Sequence, residues 1–363
     1  MPIDASGAAL SSIRDCVRAA NADHNRLRLH GGDTKSFYGE AAGGEPLDLR
    51  PYAGIVEYEP TELVITARCG TPLADLEAAL AHRRQFLAFE PPHFGPGATV
   101  GGMVAAGLSG PRRASAGAVR DYVLGAVLMT AGGELLHFGG QVMKNVAGYD
   151  ASRLLAGSMG VLGPIVQVSL KVLPMPAAET SVSFSMGLRE ALTRMNEWGG
   201  QPLPISATSW SGNHLKLRLS GAAAAVQAAV QRMVSQHGAQ VLDVEAARAH
   251  WAALREHSDA FFDGDEALWR VSVPSTAALF EFPGRQLVEW GGALRWFKTS
   301  AAPELVRQAA ATVGGSASLF RARDRSMGVF DTLPAPLLEL NRRIKREFDP
   351  RGIFNPGRLV AGL

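Results

Sequence analysis

The sequence predicts an α+β fold in two parts, and three observations carry that prediction. Residues 166–172 alternate apolar and polar side chains at the period of a half-buried strand and run into Pro174-Met175-Pro176, which interrupts regular structure. Upstream, strands at 123–129 and 135–138 are joined by Ala131-Gly132-Gly133, a hairpin with a left-handed glycine, so the first part is rich in mixed or antiparallel sheet. Downstream, strands and helices alternate in the pattern of a smaller α+β unit. The boundary falls near residue 175, giving parts at 1–175 and 176–333 and a last segment at 334–363.

In chain order, residues 63–68 read as a strand, and Thr71-Pro72 then opens a helix with Thr as N-cap and Pro at its first position. Leu73, Leu76 and Leu80 line one face of it. Past the boundary come a strand at 181–185, a helix at 189–198 and a strand at 215–219. Val226, Val230, Met233 and Val234 recur at helical spacing until His237-Gly238 stops the helix. Strands follow at 268–273, 294–298 and 317–321, with a helix at 303–313 before the last of them. A final helix at 335–347 ends at Asp349-Pro350, ahead of a turn-rich tail.

Composition narrows the function. The 36 basic and 34 acidic residues leave a net charge of +2 and are scattered, which excludes a nucleic-acid footprint. Cys16 and Cys69 are too few for a disulfide framework and lack the spacing of a thiolate metal site. No leader and no stretch of about 20 apolar residues is read, so the expected place is the cytoplasm, without direct membrane insertion. Gly is 40 of 363 residues, above the usual share of about 7%, and the excess sits in residues 31–163.

Four glycine-rich segments hold that excess: Arg28-Leu29-His30-Gly31-Gly32-Asp33-Thr34-Lys35-Ser36, residues 94–110, residues 117–122 and residues 157–165. Chain without Cβ atoms can approach a pyrophosphate closely and aim backbone amides at it. Neither a Walker A segment nor a strand followed by G-x-G-x-x-G is present, so P-loop and Rossmann readings lack their fingerprints.

The order His30-Gly31-Gly32-Asp33-Thr34, Thr99-Val100-Gly101-Gly102, Ser109-Gly110 and Gly157-Ser158-Met159-Gly160-Val161-Leu162-Gly163 resembles the FAD-binding domain of the vanillyl-alcohol oxidase and p-cresol methylhydroxylase (PCMH-type) flavoproteins. The tail Phe348-Asp349-Pro350-Arg351-Gly352-Ile353-Phe354-Asn355-Pro356-Gly357 resembles their C-terminal return segment. Three further phrases resemble the family of E-type subunits of bacterial glycolate oxidase: residues 141–150, Trp290-Gly291-Gly292-Ala293-Leu294-Arg295-Trp296, and Phe320-Arg321-Ala322 with Met327-Gly328-Val329-Phe330.

The resemblance implies a two-lobed FAD-binding domain, a smaller α+β cap and a C-terminal segment that returns to the FAD domain. It implies that His30, Gly31, Gly32, Asp33, Thr34 and Lys35 take the pyrophosphate, and that Thr99, Val100, Gly101, Gly102, Ser109 and Gly110 run along pyrophosphate and flavin. Gly160 and Ile165 fall near the adenosine and ribose, and Arg120 and Asn355 complete the set. Asp33 stands where some relatives carry a histidine bonded to the flavin, so the FAD is expected to be non-covalent. A carboxylate repels phosphate, so Asp33 is expected to brace the loop while Lys35 supplies compensating charge.

The implied activity is oxidation of glycolate, a small 2-hydroxy acid, to glyoxylate in a complex with a D-type FAD subunit and an F-type iron–sulfur subunit, through which the chain could associate with a membrane. Such oxidation needs a base, a cation for the carboxylate and the flavin. No histidine pair here forms a metal motif, no metal site is expected, and the base is unassigned. The reading is that this chain relays electrons or shapes the complex while the partner does the chemistry. A self-sufficient 2-hydroxy acid dehydrogenase, with Arg270 or Arg295 holding the carboxylate, and a scaffold that no longer binds FAD are the alternatives. Lys144, Asn145 and Tyr149 are a further polar cluster.

Overall fold

The computed structural model describes residues 5–140, 151–360 and 363, so the cluster of Lys144, Asn145 and Tyr149 lies outside the described residues. A five-stranded antiparallel sheet runs in the order Ile55–Glu59, Val64–Arg68, Ile165–Lys171, Val123–Met129, Leu135–Gly139. Ile65, Leu128 and Leu170 on one face are fully buried against helices Leu73–His82 and Val100–Ala106. On the other face Val127, Met129 and Val166 pack with Ile13 and Val17 of the N-terminal helix Ala5–Asp23. Strands alternate their side chains between faces, so a sheet covered on both sides carries apolar residues at consecutive positions. The hairpin forms as expected, with Gly133 at φ 77°.

The helix after the second strand begins at Leu73, with Pro72 as its cap, which corrects the expectation that Thr71 caps it. Thr71 Oγ1 is engaged elsewhere: it donates to the Arg68 carbonyl at 2.6 Å and accepts from the Gly54 amide at 2.9 Å, binding the strand end to the neighbouring loop.

A second, eight-stranded antiparallel sheet is built from residues 178–321, in the order Gln240–Val241, Ala178–Ser185, His214–Gly221, Ile205–Ser211, Arg285–Glu289, Leu294–Lys298, Leu268–Ser272, Ser316–Arg321. Helices Leu188–Gly199, Ala223–His237, Val244–Glu256 and Pro303–Thr312 cover it. Gly238, at φ 68°, ends the second of these as the sequence indicates.

Buried charge joins the two sheets. Arg112 pairs with Glu90 and Glu179, and Arg218 reaches Glu90 at 2.9 Å. Burial alone pushes the Glu90 carboxyl up, but Arg218 and Arg112 more than offset it and hold it below the ordinary carboxylate value.

The C-terminal helix Ala335–Phe348 leads the chain back to its beginning. Ile353 accepts the Leu27 amide at 2.7 Å, and Asn355 donates to the Leu27 carbonyl at 2.9 Å. Lys345, buried under this return, gives its three protons to the carbonyls of Val161 (2.7 Å) and Phe354 (2.8 Å) and to Asp349 (2.7 Å). Asp349 in turn accepts the amides of Ile353 and Phe354, so the turn is satisfied on both sides.

Candidate functional site

The strand Leu27–His30 lies parallel to Glu45–Asp48 and delivers the chain into a loop at residues 31–35. The amides of those five residues take no partner among the described residues, an arrangement that suits an anion. The loop can form only with glycine: a Cβ on Gly32 would stand 1.6 Å from the Gly97 carbonyl oxygen, and one on Gly31 would stand 2.4 Å from Thr99 Oγ1. Asp33 sits at φ 53° and turns its carboxylate to Arg28 at 3.3 Å, consistent with the bracing role.

This loop forms one wall of a cleft of about 300 Å³. Arg28, His30, Lys35, Arg325 and Arg358 bring cationic or protonatable groups to it against the single carboxylate of Asp33. Lys35 Nζ donates to the His93 carbonyl at 3.1 Å and makes no ion pair among the described residues; burial pushes its ammonium down to about 8, while the Glu256 carboxylate pulls the other way. A desolvated cation with no carboxylate partner among the described residues, beside five amides that have no partner there, fits a pyrophosphate.

A second cleft of about 70 Å³ adjoins the first, sharing Leu29, Gly31, Thr99, Met159 and Asn355 and adding Gly101, Gly160 and Ile165. The structure therefore brings together His30 to Lys35, Thr99, Gly101, Gly102, Gly160, Ile165 and Asn355. Asn355 is central to the arrangement. Its Oδ1 accepts the Leu29 amide at 2.7 Å, and its Nδ2 donates to the Met159 carbonyl at 2.7 Å.

Other expected residues stand elsewhere. Val100 is fully buried and its amide is spent on the Thr71 carbonyl (2.9 Å); Gly101 lines the second cleft, but its amide goes to the Cys69 carbonyl (2.8 Å). Both belong to the helix Val100–Ala106; Thr99 Oγ1 caps it through the Gly102 amide and Gly107, at φ 64°, ends it. The helix N-terminus thus presents few free donors, and Val100 contributes packing.

Arg120 is exposed on a short turn at Val119–Asp121 and lines neither cleft, which corrects its inclusion. Arg295 is also corrected. Its guanidinium donates to the carbonyls of Gly292, Ala278 and Ala277, and at 0% exposure it presents no face to a ligand. Ser109 and Gly110 line a third, separate cleft of about 20 Å³ together with His257, Arg270, Glu289 and Trp290.

Sequence reasoning missed the arginines that shape the loop. Arg358 donates to the carbonyls of Glu40 (2.6 Å), Ser36 (2.9 Å) and Tyr38 (2.6 Å), and Arg325 to those of Phe37 (2.7 Å) and Gly39 (2.6 Å). Each stands roughly 290–320 residues from its acceptors, so no local pattern announces it.

Residues 8–139 match the FAD binding domain family, a span that includes the loop at 31–35 and the helix at 100–106. The chain is 46% identical over 352 residues to the glycolate oxidase subunit GlcE of Escherichia coli (strain K12), covering 97% of both chains. It is 31% identical over 140 residues, 39% of this chain and 30% of the other, to the glycolate oxidase subunit GlcD of Bacillus subtilis (strain 168). Among solved structures, an alkyldihydroxyacetonephosphate synthase superposes with a TM-score of 0.67 at 15% identity, covering 95% of this chain and 75% of that one, which shows the shared PCMH-type α+β fold. No helix among the described residues is long and apolar enough to cross a membrane. An identity of 46% maintained along nearly the whole of both chains settles the relationship: the chain belongs to the family of glycolate oxidase GlcE subunits.

Proposed function

We propose that the chain is the FAD-binding subunit of a complex that oxidises glycolate to glyoxylate and passes the electrons on through partner subunits, a second FAD subunit of D type and an iron–sulfur subunit of F type. The observation that carries the reading is the match to a glycolate oxidase subunit along 97% of the chain, laid over a cationic, glycine-walled cleft that suits a dinucleotide. Bound FAD supplies the hydride acceptor that oxidation of a CH–OH carbon needs. Lys35 and the free amides at 31–35 hold its pyrophosphate, while Thr99, Gly102, Gly160, Ile165 and Asn355 shape the rest of the path. Asp33, tied to Arg28, forms no bond to the cofactor, which is held without a covalent link. The complex works in the cytoplasm, and any membrane association comes through the partners.

The test is the flavin spectrum of the purified chain and of the reconstituted complex under anaerobic conditions. The chain should carry about one extractable FAD, and glycolate should bleach the flavin bands of the complex. A complex assembled with a flavin-free variant of this chain that keeps its full rate would overturn the reading.

A further inference from the structure

A single turn of the chain at residues 93–94 connects the second sheet's helices to the loop at 31–35. Helix Val244–Glu256 ends at Glu256, whose Oε2 accepts the amides of His93 at 3.0 Å and Phe94 at 2.8 Å. Its Oε1 takes the Arg255 side chain at 2.7 Å. Two successive amides aimed at one carboxylate form a concave anion cradle built from backbone. Phe94 stands at φ 54°, a value that a bulky residue keeps only where its surroundings impose it, and the Glu256 carboxylate holds its amide there.

The same turn supports Lys35. The His93 carbonyl accepts Lys35 Nζ at 3.1 Å, and the Phe94 ring centroid lies 5.7 Å from that nitrogen. A little further on, the Gly97 carbonyl meets Gly32 so closely that no Cβ fits between them, so the turn and the loop move as one. The His93 ring is steadied by Glu77 of helix Leu73–His82, 3.0 Å from Nε2. Arg28, His30 and Asp33 line the cleft with Lys35 on its own side of the sequence, and Arg325 and Arg358 come to it from later segments. Asp33 is paired with Arg28 and Arg255 with Glu256, and the Glu256 carboxylate raises Lys35 against its burial.

We propose that Glu256 is a positioning residue for the cofactor: by holding the amides of His93 and Phe94 it fixes the carbonyl and the ring that aim Lys35 at the FAD pyrophosphate. A lysine ammonium rides on a flexible four-carbon stem, so its aim comes from what the ammonium leans on. Here that support is the His93 carbonyl and the Phe94 ring, and Glu256 is the carboxylate that ties both to the second sheet's helices. The proposal rests on the reading above that Lys35 holds the pyrophosphate. It extends that reading to a residue outside the 8–139 span matched to the FAD binding domain family, so that the second part of the chain sets how tightly the first holds flavin.

Flavin titrations of the full chain across neutral and alkaline pH test it, using Glu256→Gln, Lys35→Met and the double variant. Glu256→Gln should weaken FAD about tenfold at neutral pH and move the alkaline fall in affinity, set by Lys35 at about 8 in the parent, to lower pH by about half a unit. In the Lys35→Met background the same substitution should change FAD affinity by no more than about twofold, because the residue it positions is gone. Glu245→Gln, on the same helix in an exposed pair with Arg248, should leave affinity and pH profile as they are in the parent. Should Glu256→Gln fail to fold, Glu256→Asp, which keeps the charge and draws it back from the two amides, carries the comparison between backgrounds. Equal weakening in both backgrounds, or a Glu256→Gln chain with the parent's affinity and alkaline fall, would overturn the proposal and leave the role of Lys35 standing. A Lys35→Met chain that binds FAD as tightly as the parent would instead overturn the reading of the cleft, and the proposal with it.

Discussion

Asn355 and Met159 are joined by a 2.7 Å hydrogen bond from the amide side chain to the carbonyl, tying the last segment of the chain to the fourth glycine-rich segment. The same side chain accepts the Leu29 amide, and a Cβ on Gly160 would stand 2.7 Å from its nitrogen, so the three segments meet at one amide group. Asn355→Ala strands a buried donor and a buried acceptor, at about 1–3 kcal/mol for a group so left. The expected outcome is a lower urea midpoint and at least tenfold weaker FAD retention on gel filtration.

Gly32→Ala places a methyl inside the Gly97 carbonyl, and a backbone oxygen cannot swing aside as a side chain can. The loop at 31–35 must shift, costing about 3 kcal/mol. Purified Gly32→Ala should be colourless, with near-native far-ultraviolet dichroism, because the damage is local to the cleft.

Lys35 titrates in a useful window. Its folded value, about 8, lies below the ordinary 10.5, so between those values the folded chain has lost a proton that the unfolded chain keeps. Stability of the FAD-free chain therefore rises with pH across that window, and FAD affinity falls above pH 8 as the cation is lost. Lys35→Met should flatten both profiles, seen in equilibrium unfolding and in flavin titrations from pH 7 to 10.

Glu289 behaves in the opposite sense. Burial pushes its carboxyl up to about 7, with the Trp296 hydrogen bond and Arg270 pulling down. Between 4.5 and 7 the folded chain keeps a proton that the unfolded chain releases, so this group's contribution is lost as pH rises through 7. Glu289→Gln should remove that slope, on the order of 3 kcal/mol between pH 4.5 and 8 by the shift alone.

Lys345→Met leaves Asp349 buried and without its cation, and also removes the donor to Val161 and Phe354. Breaking such a pair costs about 3–5 kcal/mol. The variant should unfold at markedly lower urea and become susceptible to proteolysis within residues 349–363, whereas Arg346→Met, on an exposed pair with Glu339, should unfold like the parent.

Much of this was legible in the sequence because the signals are local. Gly31 and Gly32 announce close backbone approach, and the helix ending at Gly238 and the hairpin at Gly133 follow from residue type and spacing. The helix Val100–Ala106 was hidden because two of its seven residues are glycine; it forms since Thr99 and Gly107 cap it and Gly101 must pass close to Cys69, 2.6 Å from a virtual Cβ. Arg325 and Arg358 carry no such mark. Their partners are carbonyls of residues 36–40, which any sequence supplies, so only the folded path reveals them. Arg295 misled for a related reason: an arginine beside tryptophan reads the same whether it faces a ligand or, as here, three carbonyls.

The bond between Leu27 and the 353–355 return has a consequence for biosynthesis. A nascent chain can pair its five-stranded sheet once residue 171 has emerged, yet the cleft beside residues 31–35 lacks Asn355 and Arg358 until nearly all the chain has been made. Closure of the cleft is thus a late event in this protein's life, and a chain cut short by a dozen residues loses Ile353 and Phe354 from the core together with Asn355.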